Sequence, residues 1–87
     1  MARQISFEPN AWDEFMSWQN EKKIQRRITE LIKEISRDPF HGTGKPEPLK
    51  HGKSGYWSRR IDDTNRLVYK VTDTAILIYS CKHHYEK

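Results

Sequence analysis

The chain has 87 residues, a formal net charge of +4 and one cysteine. That length makes a single small domain, residues 1–87, with room for one modest core, and one cysteine excludes an internal disulfide. No apolar run approaches ~18 residues and no signal-peptide pattern opens the chain, so no membrane helix is expected and the cytoplasm is the expected setting.

Only 34% of the residues are hydrophobic, but they include three Trp, four Tyr and three Phe. Such bulky side chains let a short chain bury enough area to fold, so disorder is not expected. Residues 3–7 (RQISF) alternate polar and apolar side chains and read as a short strand. Pro9 suits the first turn of a helix, with Asp13 and Glu14 near its positive end. Trp12, Phe15 and Met16 fall at i, i+3 and i+4 and form one apolar face, read as core. A second helix begins near Glu21. Its apolar stripe is Ile24, Ile28, Leu31, Ile32 and Ile35, set against Lys22, Lys23, Arg26, Arg27, Glu30, Lys33 and Glu34 on the other side. Pro39 disfavours helical geometry at Asp38 and ends it. So short a connection makes the two helices an antiparallel hairpin.

Residues 40–61 hold Gly42, Gly44, Pro46, Pro48, Gly52 and Gly55, which makes most of the stretch loop with short extended pieces. YWSRRI (56–61) reads as a strand, as do RLVYKV (66–71) and AILIYSCKHHY (75–85), the last two joined at TDT. The expected order is β-α-α-β-β-β: an α+β fold with a helical hairpin on one face of a twisted antiparallel sheet and the other face free for function. A two-residue turn at Asp73-Thr74 would set Arg66 opposite Cys81. A three-residue loop, Thr72 to Thr74, would set it with Ser80 and His84. The second register is preferred because it gathers Arg66, Lys70, Lys82 and His84 on one side. It leaves Leu67, Tyr69, Val71, Leu77, Tyr79 and Cys81 for the helices.

Charge is segregated. Residues 1–40 carry seven basic and seven acidic residues, whereas residues 41–87 carry nine and five, so the whole surplus lies in the second part. Interleaved with Tyr56, Trp57 and Tyr85, it suits a polyanion, and nucleic acid is favoured over a merely solvated surface. Cys81, His83 and His84 form a C-x-H-H cluster, but adjacent histidines on a strand point to opposite faces and cannot grip one ion. No metal and no cofactor are expected, and Cys81 reads as a small buried hydrophobe.

Cleaving an RNA phosphodiester without metal needs three roles. A base takes the proton of the ribose 2′-OH, an acid protonates the departing 5′-oxygen, and a cation stabilises the phosphorane. Glu47 lies between Pro46 and Pro48, whose fixed angles would hold its direction. A histidine can be the acid and an arginine the phosphate-facing cation. Spacing alone leaves alternatives open. Glu47 also reads as a loop carboxylate paired with Lys45 or Lys50, Arg66 as a surface arginine, and His84 as an exposed strand-end residue.

The stretch GKPEPLKHGKSGYWSRRIDDTNRLVYKV, the ending CKHHY, and the pairs Trp12-Asp13 and Trp18-Gln19 resemble the YoeB/Txe toxins of bacterial toxin–antitoxin systems, within the RelE superfamily. The resemblance covers essentially the whole chain. It implies a microbial-ribonuclease-like fold and a ribosome-dependent endoribonuclease that cleaves mRNA in the ribosomal A site. It also implies neutralisation by a YefM-type antitoxin and a tendency to form dimers. On this resemblance the general base falls on Glu47, the phosphate-stabilising arginine on Arg66, the general acid on His84 and a substrate-positioning tyrosine on Tyr85. Lys50, His51, Arg59 and Lys82 are expected to face RNA. Two departures stand out: Glu86 and Lys87 extend past the tyrosine at which many relatives stop, and His83 sits where relatives are often aromatic. The rival from another class is a non-catalytic ribosome- or RNA-binding module that blocks translation by occupancy. A DNA-binding repressor fits less well, because the basic surplus lies on the strand half and not on a helix. DNA contact is expected only indirectly, through an antitoxin complex.

Overall fold

The computed structural model describes residues 2–50 and 54–82. In chain order its elements are β1 (Gln4–Phe7), α1 (Pro9–Ser17), α2 (Lys22–Arg37), β2 (Glu47–Pro48), β3 (Tyr56–Arg60), β4 (Arg66–Val71) and β5 (Ala75–Ser80). The strands form one sheet in the order β1-β5-β4-β3-β2, with the helices packed on one face. This is the expected α+β architecture, with one correction: the sheet is mixed. The strands from β2 to β5 pair antiparallel in succession, but β1 runs parallel to β5. Short connections force chain reversal, whereas β1 is separated from the rest by two helices, and such a crossover permits the parallel direction.

The helical stripe on α2 is as the periodicity predicts. Ile28, Leu31 and Ile35 are fully buried, and Ile24 and Ile32 pack partly against them. The apolar face read on α1 is corrected. Phe15 packs on the core, but Trp12 and Met16 are 48% and 40% exposed, and Ala11 takes the innermost position. A small side chain at Ala11 brings the helix close to the sheet. Glu14 is not in the first turn at all: its carboxylate accepts the Cys81 N–H (2.8 Å) and the Ser80 hydroxyl (3.2 Å), which sets the rotation of α1.

The register between β4 and β5 is also corrected. Lys70 pairs with Leu77 and Val71 with Ile76, closed by a turn in which the Thr72 N–H donates to Ala75 O at 3.0 Å. This is the tight turn at Asp73-Thr74, not the three-residue loop. Ile76 and Ile78 therefore face the helices, fully buried, while Leu77 and Tyr79 lie half-buried on the opposite face. A bulge follows, and Val68 pairs with Ser80. The extra residue reverses the alternation, so Cys81 returns to the helix side and is also fully buried. A rule of strict alternation cannot put 76, 78 and 81 on one face; the bulge does. β5 also ends at Ser80, short of the long strand expected to run through residue 85.

Candidate active site

The site lies on the sheet face away from the helices, and it begins with a backbone that leaves little freedom. Gly44 (φ +88°) and Lys45 (φ +55°) both adopt left-handed geometry, and Pro46 follows. The Arg60 N–H donates to Gly44 O at 2.7 Å, and the Leu49 N–H donates to Tyr56 O at 2.9 Å. Between these anchors Glu47 and Pro48 form a two-residue edge strand opposite Ser58 and Trp57. An edge position suits Pro48, which has no N–H to contribute to a ladder.

Register decides what meets Glu47. Glu47 is opposite Ser58, Ser58 opposite Val68, and Arg60 opposite Arg66, so these side chains share one face. Arg66 Nη1 donates to Glu47 Oε2 at 3.1 Å and to Ser58 Oγ at 3.3 Å. The Arg66 side chain is 13% exposed and that of Glu47 is 44% exposed. A carboxylate able to accept a proton thus sits beside a largely enclosed cation, on a floor of buried Ser58 and Val68. Both of these bonds from Arg66 are made through Nη1. Further along the same face, Tyr56 and Tyr79 meet edge to face at 5.5 Å and the Lys70 ammonium lies 5.6 Å from the Tyr56 ring centre.

Arg59 does not face RNA; this expectation is corrected. Its side chain has no exposure and points to the helix side. There Nε donates to Tyr69 Oη (3.1 Å), Nη1 to Glu34 Oε1 (2.9 Å) and Thr43 O (3.1 Å), and Nη2 to Asp38 O (2.9 Å) and His41 O (2.8 Å). Strand alternation explains the swap: of the neighbouring arginines, Arg60 is the one that lies exposed on the open face, directly across from Arg66. Parity along YWSRRI, counted from Glu47's partner Ser58, was the available signal. Two like charges opposed on adjacent strands disfavour each other unless an anion intervenes, and Glu47 meets that need on one side.

Lys82 is likewise not gathered with Arg66. Its ammonium donates to Ser17 Oγ at 3.0 Å and lies 5.2 Å from the Trp18 ring centre. Trp18 Nε1 donates to Cys81 O at 3.0 Å, which draws the end of β5 against the C-terminal end of α1, a favourable place for a cation. Lys50 is exposed, just past the edge strand that carries Glu47. His51, His83, His84 and Tyr85 lie outside the described residues. Burial pushes the Cys81 thiol up to about 12, which leaves it protonated and unreactive at neutral pH. Among the described residues no group of three His, Cys, Asp or Glu side chains is placed to hold a metal ion, and no helix is long and apolar enough to cross a membrane.

This geometry has close counterparts. The YoeB toxin of Escherichia coli K12 is 55% identical over 76 residues, covering 86% of this chain and 90% of that protein. The YoeB toxin of Streptomyces coelicolor is 52% identical over 82 residues, covering 93% and 98%. Among solved structures, the YoeB dimer from Staphylococcus aureus superposes with a TM-score of 0.89 at 46% identity, covering 98% of this chain and all of that one. The YoeB–YefM complex from the same organism gives 0.85 over the same span. The model of the family described as the YoeB-like toxin of bacterial type II toxin–antitoxin systems matches residues 7–85. The chain therefore belongs to that family and is the toxin of a toxin–antitoxin system.

Proposed function

We propose that the chain is a ribosome-dependent mRNA endoribonuclease that stops translation by cutting message in the A site, through acid–base catalysis that needs no metal. The observation that carries this reading is the Glu47–Arg66 pair at 3.1 Å on the open face. Base and charge-stabilising cation are adjacent there, as attack by a 2′-oxygen on its neighbouring phosphorus requires. Glu47 takes the 2′-OH proton and that oxygen bonds to phosphorus. Arg66 stabilises the added negative charge, and the P–O5′ bond breaks as His84 protonates the departing oxygen. The products are a 2′,3′-cyclic phosphate and a 5′-OH end. Tyr85 positions the substrate. Lys50, His51 and the exposed Arg60 supply positive charge to the RNA path.

The partners of this reading are mRNA on the bacterial ribosome and, for neutralisation, a YefM-type antitoxin. The relatives' YoeB–YefM complex and YoeB dimer support the antitoxin and a homodimer. The test is primer extension and end-group analysis on a message translated with purified chain. Cut ends within codons that accept a kinase label at an unphosphorylated 5′-OH are expected. Intact message with stalled ribosomes would establish occupancy without cleavage instead, and 5′-phosphate ends would overturn the mechanism.

A further inference from the structure

We propose that Arg59 is a positioning residue that sets the place and ionisation of Glu47 from the opposite face of the sheet. The inference rests on the reading of Glu47 as the general base. Arg59 follows Ser58, the cross-strand partner of Glu47, so its guanidinium lies behind the site. It collects the carbonyls of Asp38, His41 and Thr43, the successive points of the loop that leads from α2 toward β2. Glu34 closes the arrangement, taking one bond from Arg59 (2.9 Å), the Thr43 N–H (2.9 Å) and the Thr43 hydroxyl (2.7 Å). The loop is moulded to this group: a Cβ on Gly42 (φ +128°) would stand 2.5 Å from Glu34 Oε1 and 2.9 Å from Arg59 Nη1.

Between Thr43, which Arg59 holds, and Glu47 stand only Gly44, Lys45 and Pro46. Gly44 is pinned by its bond from Arg60, Lys45 is in left-handed geometry, and Pro46 has a fixed φ. With so little slack, a shift at Thr43 is passed to the carboxylate. Stability alone is a poor reason for so buried an arginine, since a well-packed apolar side chain commonly serves as well or better. Three carbonyls that accept from two nitrogens of one group, however, call for a rigid planar donor, and arginine is the side chain that offers one.

The test compares Arg59→Lys and Glu34→Gln, alone and combined with Glu47→Ala, in message cleavage on programmed ribosomes and in a 13C titration of the Glu47 carboxyl. Arg59→Lys is expected to lower turnover about 100-fold with KM unchanged, the scale of a misplacement near 1 Å. Glu34→Gln, on an exposed side chain and so tolerant of folding, lowers it less. In the Glu47→Ala background both are expected to change the residual rate less than about twofold, because they act through the missing carboxylate. The Glu47 titration midpoint is expected to move in both single variants. Unchanged turnover, an equal loss in the Glu47→Ala background, or an unmoved midpoint would each overturn the proposal. If Arg59→Lys does not fold, Glu34→Gln decides. Full cleavage by Glu47→Ala would instead remove Glu47 as the base, and the titration would still report whether Arg59 positions it.

Discussion

The two faces of the sheet each carry an arginine–glutamate pair, built to opposite plans. On the helix side, Arg59 is wholly enclosed and all three of its nitrogens are bonded, to a tyrosine hydroxyl, a carboxylate and three carbonyls. On the open side, Arg66 is 13% exposed and bonds Glu47 and Ser58 through one nitrogen. A charge taken fully from water must have its donors satisfied, so the first pair is locked into the fold. Arg66 instead meets a half-exposed carboxylate on the open face, where the proposed reading has a phosphate approach it. The two glutamates are equally exposed, at 44%, so the pairs differ at the arginines: one is bonded through all three nitrogens, the other through Nη1.

Substitution at each pair is expected to separate the two roles most sharply. Arg59→Ala leaves the Tyr69 hydroxyl and three carbonyls without their donor and is expected to cost about 3–5 kcal/mol, read by urea denaturation. Arg66→Ala removes the donor from one half-exposed carboxylate and one hydroxyl and is expected to cost clearly less than Arg59→Ala, while cleavage falls steeply. Equal stability losses at the two positions would break the contrast. The two sides of β5 offer a second, smaller test. Ile78→Ala should destabilise by about 2–5 kcal/mol, while Leu77→Ala on the half-buried side should cost clearly less. The reverse order would return the register to the one the charge pattern favoured.

The smallest effect concerns pH. Hydrogen bonds from the Thr43 N–H and hydroxyl, with Arg59 adding to them, hold Glu34 below the ordinary value of 4.5. A depressed carboxylate contributes stability above its unfolded value, and that contribution is lost as pH falls through the folded one. Stability should therefore fall with acid below about pH 4.5, less steeply in Glu34→Gln. Indistinguishable acid limbs in thermal melts of the two proteins would show that the helix-side pair does not depend on the Glu34 charge.

Much of this was legible in the order of residues. The α2 stripe followed from a 3.6-residue period, because a helix buries one face whatever its neighbours are. The strands YWSRRI and RLVYKV and the rigid setting of Glu47 followed from local β preference and from proline geometry. The order of residues marks Glu47 and Arg66 as candidates, and the structure pairs them at 3.1 Å. Trp12 and Met16 lie exposed despite their spacing, because spacing finds an apolar face but not which part of it a small residue such as Ala11 will turn inward.

What the chain by itself determined is what local chemistry controls: helix periods, turn residues, charge segregation and the side chains that can move a proton. Only the tertiary structure decided which face each side chain occupies. One extra residue in β5 reversed the alternation and brought Cys81 inward, and strand pairing assigned Arg59 to the loop and Arg60 to the open face. The physical reason is that a strand has a period of two, so a single-residue shift exchanges its two faces entirely. Local sequence carries almost no energy with which to forbid such a shift. Packing against the helices, and the bonding of buried donors such as those of Arg59, carry enough to choose.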